Sequence, residues 1–213
     1  MVKLICFDCD GTLSAVEGID ELARLSGPQT FAQVAEMTSA AMNGTLPLEQ
    51  VFARRLEILR PSREALAAVG RIYLENVEPT ALATLRALTG HGWTPVVVSG
   101  GFRMAIRPLS ELLGIARVEA VDVFFGPDGA FRGFDSAFPA TRSGGKAEII
   151  GRLRAELAPD RVVMVGDGVS DLEAKPAVDL FVGFGRYAAR EKVRLGAGAF
   201  IHSLAELPAL ADA

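Results

Sequence analysis

The sequence predicts an α/β fold: a Rossmann-like parallel sheet core with helices on both faces, plus a small helical cap inserted after the first strand. Three observations carry this expectation. Short runs rich in Val and Ile alternate with stretches long enough to be crossover helices, which parallel strands require. The stretch 15–76 interrupts that alternation with helical patterns and no convincing strand. Carboxylates, hydroxyls and glycines follow several of the apolar runs directly, where open parallel sheets place their sites.

Each element has its own signal. Val2-Lys3-Leu4-Ile5-Cys6-Phe7 reads as the first strand. A helix begins near Ile19-Asp20-Glu21-Leu22, and further helical segments are expected near 29–42, 47–59 and 62–75. Pro47, the Pro61-Ser62 break and the acidic Glu64 behind it mark helix starts. Pro79 opens another helix, which Gly90-His91-Gly92 ends. Thr94-Pro95-Val96-Val97-Val98 is a buried strand, followed by a helix over about 102–113. Gly126-Pro127-Asp128-Gly129 signals a hairpin between two short β-rich pieces of 121–134. A helix over 144–157, a strand at Val162-Val163-Met164-Val165 and shorter strands at 179–182 and 198–201 complete the pattern. The expected division is a catalytic core of 1–14 and 77–213 and a helical cap domain of 15–76. A unit of some 62 residues would hardly hold a core by itself, so it should dock over the sheet.

Bulk properties exclude several classes of function. Half of the 213 residues are apolar and the net charge is −4, which suits a soluble domain and not a nucleic-acid surface. No apolar run approaches the roughly 18 residues of a membrane span. The chain enters its first strand after one Met and carries one lysine there, which is neither a signal nor a transit peptide. A cytoplasmic location is expected. Cys6 and Cys9 form a C-x-x-C, but in or at the end of a strand positions three apart face opposite sides, so both are expected to line the core. His91 and His202 are too few and too isolated for a zinc site.

Asp8-Cys9-Asp10-Gly11-Thr12 stands at the end of the first strand. Two carboxylates two residues apart share a face, and each raises the other's pKa unless a cation stands between them. Alone, such a pair is most simply an acidic loop. Ser99-Gly100-Gly101, after the second buried run and before a helix, offers a hydroxyl and backbone N–H groups to an anion. Gly166-Asp167-Gly168-Val169-Ser170-Asp171, after the next, places two carboxylates four apart, which suits Mg²⁺ with its oxygen ligands. Ser143-Gly144-Gly145-Lys146 hints at a P-loop. That motif needs Gly at 140 and Ser or Thr at 147, and both positions are Ala. What remains is one cation near a helix start.

Asp8-x-Asp10-Gly-Thr, Ser99, Lys146 and Gly166-Asp167-Gly-x-x-Asp171, in that order, resemble the four motifs of the haloacid dehalogenase superfamily. Glu17-Gly18-Ile19-Asp20-Glu21-Leu22-Ala23, Arg55-Leu56, Ser99-Gly100-Gly101-Phe102, Gly133-Phe134-Asp135 and Gly183-Phe184-Gly185 narrow the resemblance to the phosphoserine phosphatase family over nearly the whole chain. One departure is Gly11, where that family usually has serine. The resemblance implies Mg²⁺-dependent hydrolysis of O-phospho-L-serine to L-serine and phosphate in serine biosynthesis, with a small phosphomonoester as the partner. Asp8 is then the nucleophile that forms an aspartyl phosphate, and Asp10 the general acid and base. Asp8, the backbone carbonyl of Asp10 and Asp167 hold Mg²⁺, while Ser99, Gly100, Gly101 and Lys146 bind the phosphoryl group. Asp171 either orients Lys146 or supports the metal, and Thr12 has a supporting place. Arg55 is the expected carboxylate clamp and Glu17 the ammonium partner, with Met42, Ser170, Arg190 and Phe52 as further positions near the substrate. Three other readings stay open: phosphoryl transfer to an alcohol such as homoserine, a phosphatase for another small phosphomonoester, and a non-catalytic binding module on the same fold.

Overall fold

In this computed structural model, residues 2–43 and 45–212 are described. Six parallel strands form one sheet: β1 (Lys3–Phe7), β2 (Trp93–Phe102), β3 (Arg117–Val121), β6 (Arg161–Gly166), β7 (Leu180–Phe184) and β8 (Ala199–Ile201), in the order β3-β2-β1-β6-β7-β8. The period-2 alternation of the strands divides the core in two. Ile5, Phe7, Val97, Val163 and Val165 face one side, where they meet α5 (Ala81–Gly90), α6 (Arg103–Leu112) and α10 (Leu207–Ala211) through Leu85, Ile106 and Leu207. Leu4, Cys6, Val96, Val98 and Met164 face the other, against α7 (Gly145–Leu157) and α9 (Glu191–Gly196). Cys6 and Cys9 fall into opposite clusters, both buried. Burial drives both thiols upward, Cys6 to about 12, which removes their reactivity at neutral pH.

Four helices fill the stretch between β1 and α5: α1 (Gly18–Leu25), α2 (Pro28–Met42), α3 (Leu48–Leu59) and α4 (Arg63–Glu75). Pro28 occupies the first turn of α2, and the Ser62 hydroxyl accepts from Ala65 N at 3.1 Å to cap α4. Their buried residues Leu22, Val34, Leu56, Leu66 and Val69 belong to the same hydrophobic cluster as the sheet face above. The insertion therefore stabilises itself by burying its apolar side on the sheet unit, as its size requires. The hairpin β4 (Val123–Phe125) and β5 (Phe131–Phe134) also touches it: the Phe134 and Phe52 rings lie 5.5 Å apart. At the other edge, Glu49 of α3 accepts from Ser143 N at 3.0 Å and from Ser143 Oγ at 2.9 Å.

Several local expectations differ from what is observed. Ser99-Gly100-Gly101 is not a turn between strand and helix. β2 runs through it to Phe102, with a register break between Val98 and Phe102, and α6 starts only at Arg103. The two glycines let the strand bulge while Phe102 still pairs with Val121. β3, α9 and α10 carry no sequence signal strong enough to expect them. β3 is an edge strand with charges on one side, Arg117 Nε bonding Glu119 Oε1 at 2.8 Å, so it lacks an apolar run. α9 and α10 are only six and five residues long, too short for a helical period to stand out.

Candidate active site

Sheet register brings the strand-end residues together. Phe7 of β1 stands opposite Val97 of β2 and Val165 of β6, and the next amide, Asp8 N, still donates to Val165 O at 2.9 Å. Ser99 and Asp167 thus leave the neighbouring strands at nearly the height of Asp8. The chain winds outward in both directions from the β1–β6 pair, and ligands of open α/β sheets bind at such a crevice. Lys146, in the first turn of α7, enters from one face. Its Nζ lies 2.8 Å from Asp8 Oδ1 and 2.6 Å from Asp171 Oδ1. Asp171, on the short helix α8 (Val169–Leu172), is fully buried, and its Oδ2 accepts from Gly168 N at 2.9 Å.

The electrostatics are unbalanced toward negative charge. Carboxylate oxygens of Asp8, Asp167 and Asp171 all lie within 4.8 Å of one another. Burial opposes the charge on Lys146, yet Asp171 and Asp8 outweigh it and hold the ammonium above the ordinary lysine range. Burial, then Asp8, pushes Asp171 up to about 6. Asp167 is raised to about 7 by burial against the pull of Arg190, and Asp10 to about 6 by burial and Asp8. Three converging hard oxygen donors with one ammonium among them suit a divalent cation such as Mg²⁺. Gly11 makes room for this grouping: at φ 64, a Cβ on it would stand 2.6 Å from Asp167 Oδ2. The departure at Gly11 therefore bears on the acidic cluster.

These shifts set a sign for stability. Ordinary aspartates titrate near 3.8, so the fold without a cation binds extra protons between about pH 4 and 7, and its stability falls as pH rises through that window. A divalent cation should reverse the loss. At hundredfold excess over its Kd it adds about 2.7 kcal/mol, or about 5–10 °C in Tm for a chain of this size. Melting chelator-treated protein with and without Mg²⁺ at pH 5 and 7.5 should show the larger rise at 7.5. A Tm that Mg²⁺ leaves unchanged at both pH values would remove the cation from the site.

The insertion supplies the opposite wall of the cavity. Asp8, Asp10, Ser99, Lys146, Glu17 and Arg55 all line it, and so do Gly100, Gly101, Ser170 and Phe52. Arg55 is 5 % exposed; its Nη1 donates to Thr38 Oγ1 at 3.2 Å, while its Nε has no partner among the described residues. Thr38 Oγ1 in turn donates to Asp20 Oδ1 at 2.7 Å. Glu17 precedes α1, and burial together with Asp10, Asp167 and Asp8 raises its pKa well above the ordinary range. Asp167 and Asp171 stand beside Asp8, and Thr12 Oγ1 lies 3.4 Å from Asp167 Oδ1. Arg190, expected near the substrate, bonds the Asp167 carboxylate and backbone carbonyl and comes within 4.0 Å of Glu17. Met42 ends α2, and its side chain lies outside the described residues. Asp171, left between two places by its spacing, touches Lys146 directly and also belongs to the acidic cluster.

Thr38 and Tyr73 were not foreseeable as site residues. Thr38 sits inside α2, and Tyr73 continues the apolar stripe of Leu66, Val69 and Gly70 along α4. The one clue is the phenol itself, since a tyrosine on a core stripe needs a hydrogen-bond partner somewhere.

A parallel α/β sheet with an acidic cluster, a lysine and a strand-end serine at its crevice defines a class of hydrolases, and the family model of haloacid dehalogenase-like hydrolases matches residues 5–174. The chain belongs to that family. It is 35% identical over 205 residues to a phosphoserine phosphatase of Rattus norvegicus, covering 95% of this chain and 90% of that one. It is 37% identical over 200 residues to the chloroplastic phosphoserine phosphatase of Arabidopsis thaliana, covering 92% and 67%. Among solved structures it is similar to a phospho-aspartyl intermediate analogue of phosphoserine phosphatase, at 27% identity and TM-score 0.86 with 98% of each chain covered. A substrate-bound phosphoserine phosphatase complex is 26% identical with a TM-score of 0.87, covering 99% and 98%.

Proposed function

We infer that this protein is a phosphoserine phosphatase, hydrolysing O-phospho-L-serine to L-serine and phosphate through an aspartyl phosphate on Asp8. Its relatives of that name support the reading, and one observation carries the substrate: Arg55, buried in the cavity wall with Nε unpartnered among the described residues and Nη1 held by Thr38. A buried guanidinium edge without a partner is costly alone and suits a carboxylate. Glu17, on the same wall, fits the substrate ammonium. The helices of 15–76 then act as the cap that reads the amino acid, over a core of 1–14 and 77–213.

In the first step Asp8 attacks phosphorus, the new O–P bond forms, and the bond to the serine oxygen breaks. Asp10 delivers a proton to that leaving oxygen, then takes one from the water that splits the aspartyl phosphate. Ser99 Oγ accepts from Gly101 N at 2.9 Å, so its own proton is free for a phosphoryl oxygen. Lys146 and the backbone N–H of Gly100 add positive ends where charge shifts. Asp8, Asp167 and the Asp10 carbonyl would hold Mg²⁺, with Asp171 beside them. The ion, when bound, neutralises the charge of nucleophile and phosphate.

Phosphate release across small phosphomonoesters, with Mg²⁺ present, tests the reading. Arg55→Ala should lower kcat/KM for phosphoserine about 10- to 150-fold, the worth of hydrogen bonds to a charged group at ~1.5–3 kcal/mol. Phosphoethanolamine, which has no carboxylate, should be turned over almost as by the parent. Equal losses on both substrates would contradict Arg55 as the clamp.

A further inference from the structure

Asp10 is held by two donors that both come from the inserted helices. Tyr73 Oη, on the last turn of α4, donates to Asp10 Oδ1 at 2.6 Å, and Gly18 N, opening α1, donates to the same oxygen at 2.6 Å. Tyr73 is fully buried. The convergence depends on Gly18 lacking a side chain, because a Cβ there would stand 2.0 Å from Tyr73 Oη. The other oxygen, Oδ2, lies on the cavity side. It is 2.9 Å from where a Cβ of Gly101 would stand, and that same Cβ would be 3.1 Å from Ser99 Oγ. With Oδ1 saturated by two donors, the carboxyl group cannot turn about its last bond without breaking both, and Oδ2 alone faces the phosphate cradle.

We propose that Tyr73 is a positioning residue for the proton transfer, holding Asp10 so that Oδ2 points at the oxygen that leaves phosphorus. Asp10 rises from the sheet and Tyr73 from the insertion, so the acid is aimed only while α4 and α1 are docked. Proton delivery is thereby tied to the same insertion that carries Arg55, on α3, and Glu17, at the start of α1. The proposal rests on the reading of Asp10 as the general acid and goes beyond it by assigning the group that orients it.

Leaving-group dependence separates this role from a merely structural one. The serine alkoxide needs a proton as it departs, whereas the acetate of acetyl phosphate does not. Tyr73→Phe keeps the ring and removes only the hydroxyl. It should lower kcat/KM for phosphoserine about 10- to 100-fold, the range expected when a general acid is misplaced, and leave acetyl phosphate within about twofold of the parent. Asp10→Asn, measured alongside, should discriminate more strongly in the same direction. Equal slowing of both substrates by Tyr73→Phe, or no slowing of phosphoserine, would overturn the proposal and leave the role of Asp10 standing. Equal slowing of both by Asp10→Asn would overturn the two together. If Tyr73→Phe does not fold, Gly18→Ala gives the same comparison, since its methyl group displaces the phenol.

Discussion

Asp8→Asn is expected to abolish phosphate release, by at least about 10⁴-fold, because an amide oxygen is too weak a nucleophile to attack phosphorus. The substitution is nearly isosteric. The side-chain oxygen can still accept from Lys146 Nζ and from Cys9 N, which now lie 2.8 Å from Oδ1. Folding should therefore survive, and it should improve. Asp8 is one of three carboxylates within 4.8 Å, and it raises the pKa of both Asp10 and Asp171. Removing its charge relieves that repulsion, so the metal-free variant should melt higher than the parent at pH 7 while being inactive. Such opposition of stability and activity is common where a site stores like charge. Phosphate release, acid-stable labelling of the enzyme by phosphorylated substrate and a melting curve read the three effects. A variant that releases phosphate at the parental rate would exclude Asp8 as nucleophile.

Lys146→Met should fail in the opposite way on stability. The ammonium is 4 % exposed and lies between Asp8 and Asp171 at 2.8 and 2.6 Å. Replacing it by a neutral chain of similar length leaves buried carboxylates facing one another with no protein cation between them. Breaking a buried pair from one side costs about 3–5 kcal/mol, which for a chain of this size is a fall of about 6–20 °C in Tm. Activity should drop about 10²- to 10³-fold, the usual loss when one stabilising donor is removed from a charge-shifting step. Mg²⁺ should restore part of the stability and little of the activity, since a cation held by the carboxylates would offset their charge without replacing the hydrogen-bond donor that Lys146 supplies. A melting temperature equal to the parent's would mean that Lys146 is not what balances this site.

Asp8 and Lys146 differ in how readable they were in the chain. Asp8, Asp10, Ser99 and Asp167 were legible because each follows an apolar run, and strand ends are where a parallel sheet collects its chemistry. Lys146 was legible only by its place in the order of motifs; on residue type and spacing it is one cation near a helix start. Its contact with Asp171 was left open, because residues 25 positions apart meet through the packing of α7 on the sheet. Thr38 and Tyr73 were hidden inside helices whose periodicity declares them as packing. The edge strand β3 was hidden by its own charges, and Ser99-Gly100-Gly101 by glycines that suggest a turn but here bulge a strand.

The sequence by itself determined the class of fold, the helical insertion after the first strand and the carboxylates, serine and glycines that stand at the strand ends. Those features are local: a period of 2 or 3.6, a glycine or a carboxylate at a strand end. Only the tertiary structure decided that Phe7 stands level with Val97 and Val165, that both donors to Asp10 meet on one oxygen and that Arg55, in the cavity wall, buries a nitrogen with no partner among the described residues. Strand order, register and helix docking bring residues from 8 to 190 within a few ångströms of each other, and periodicity holds no record of such distances.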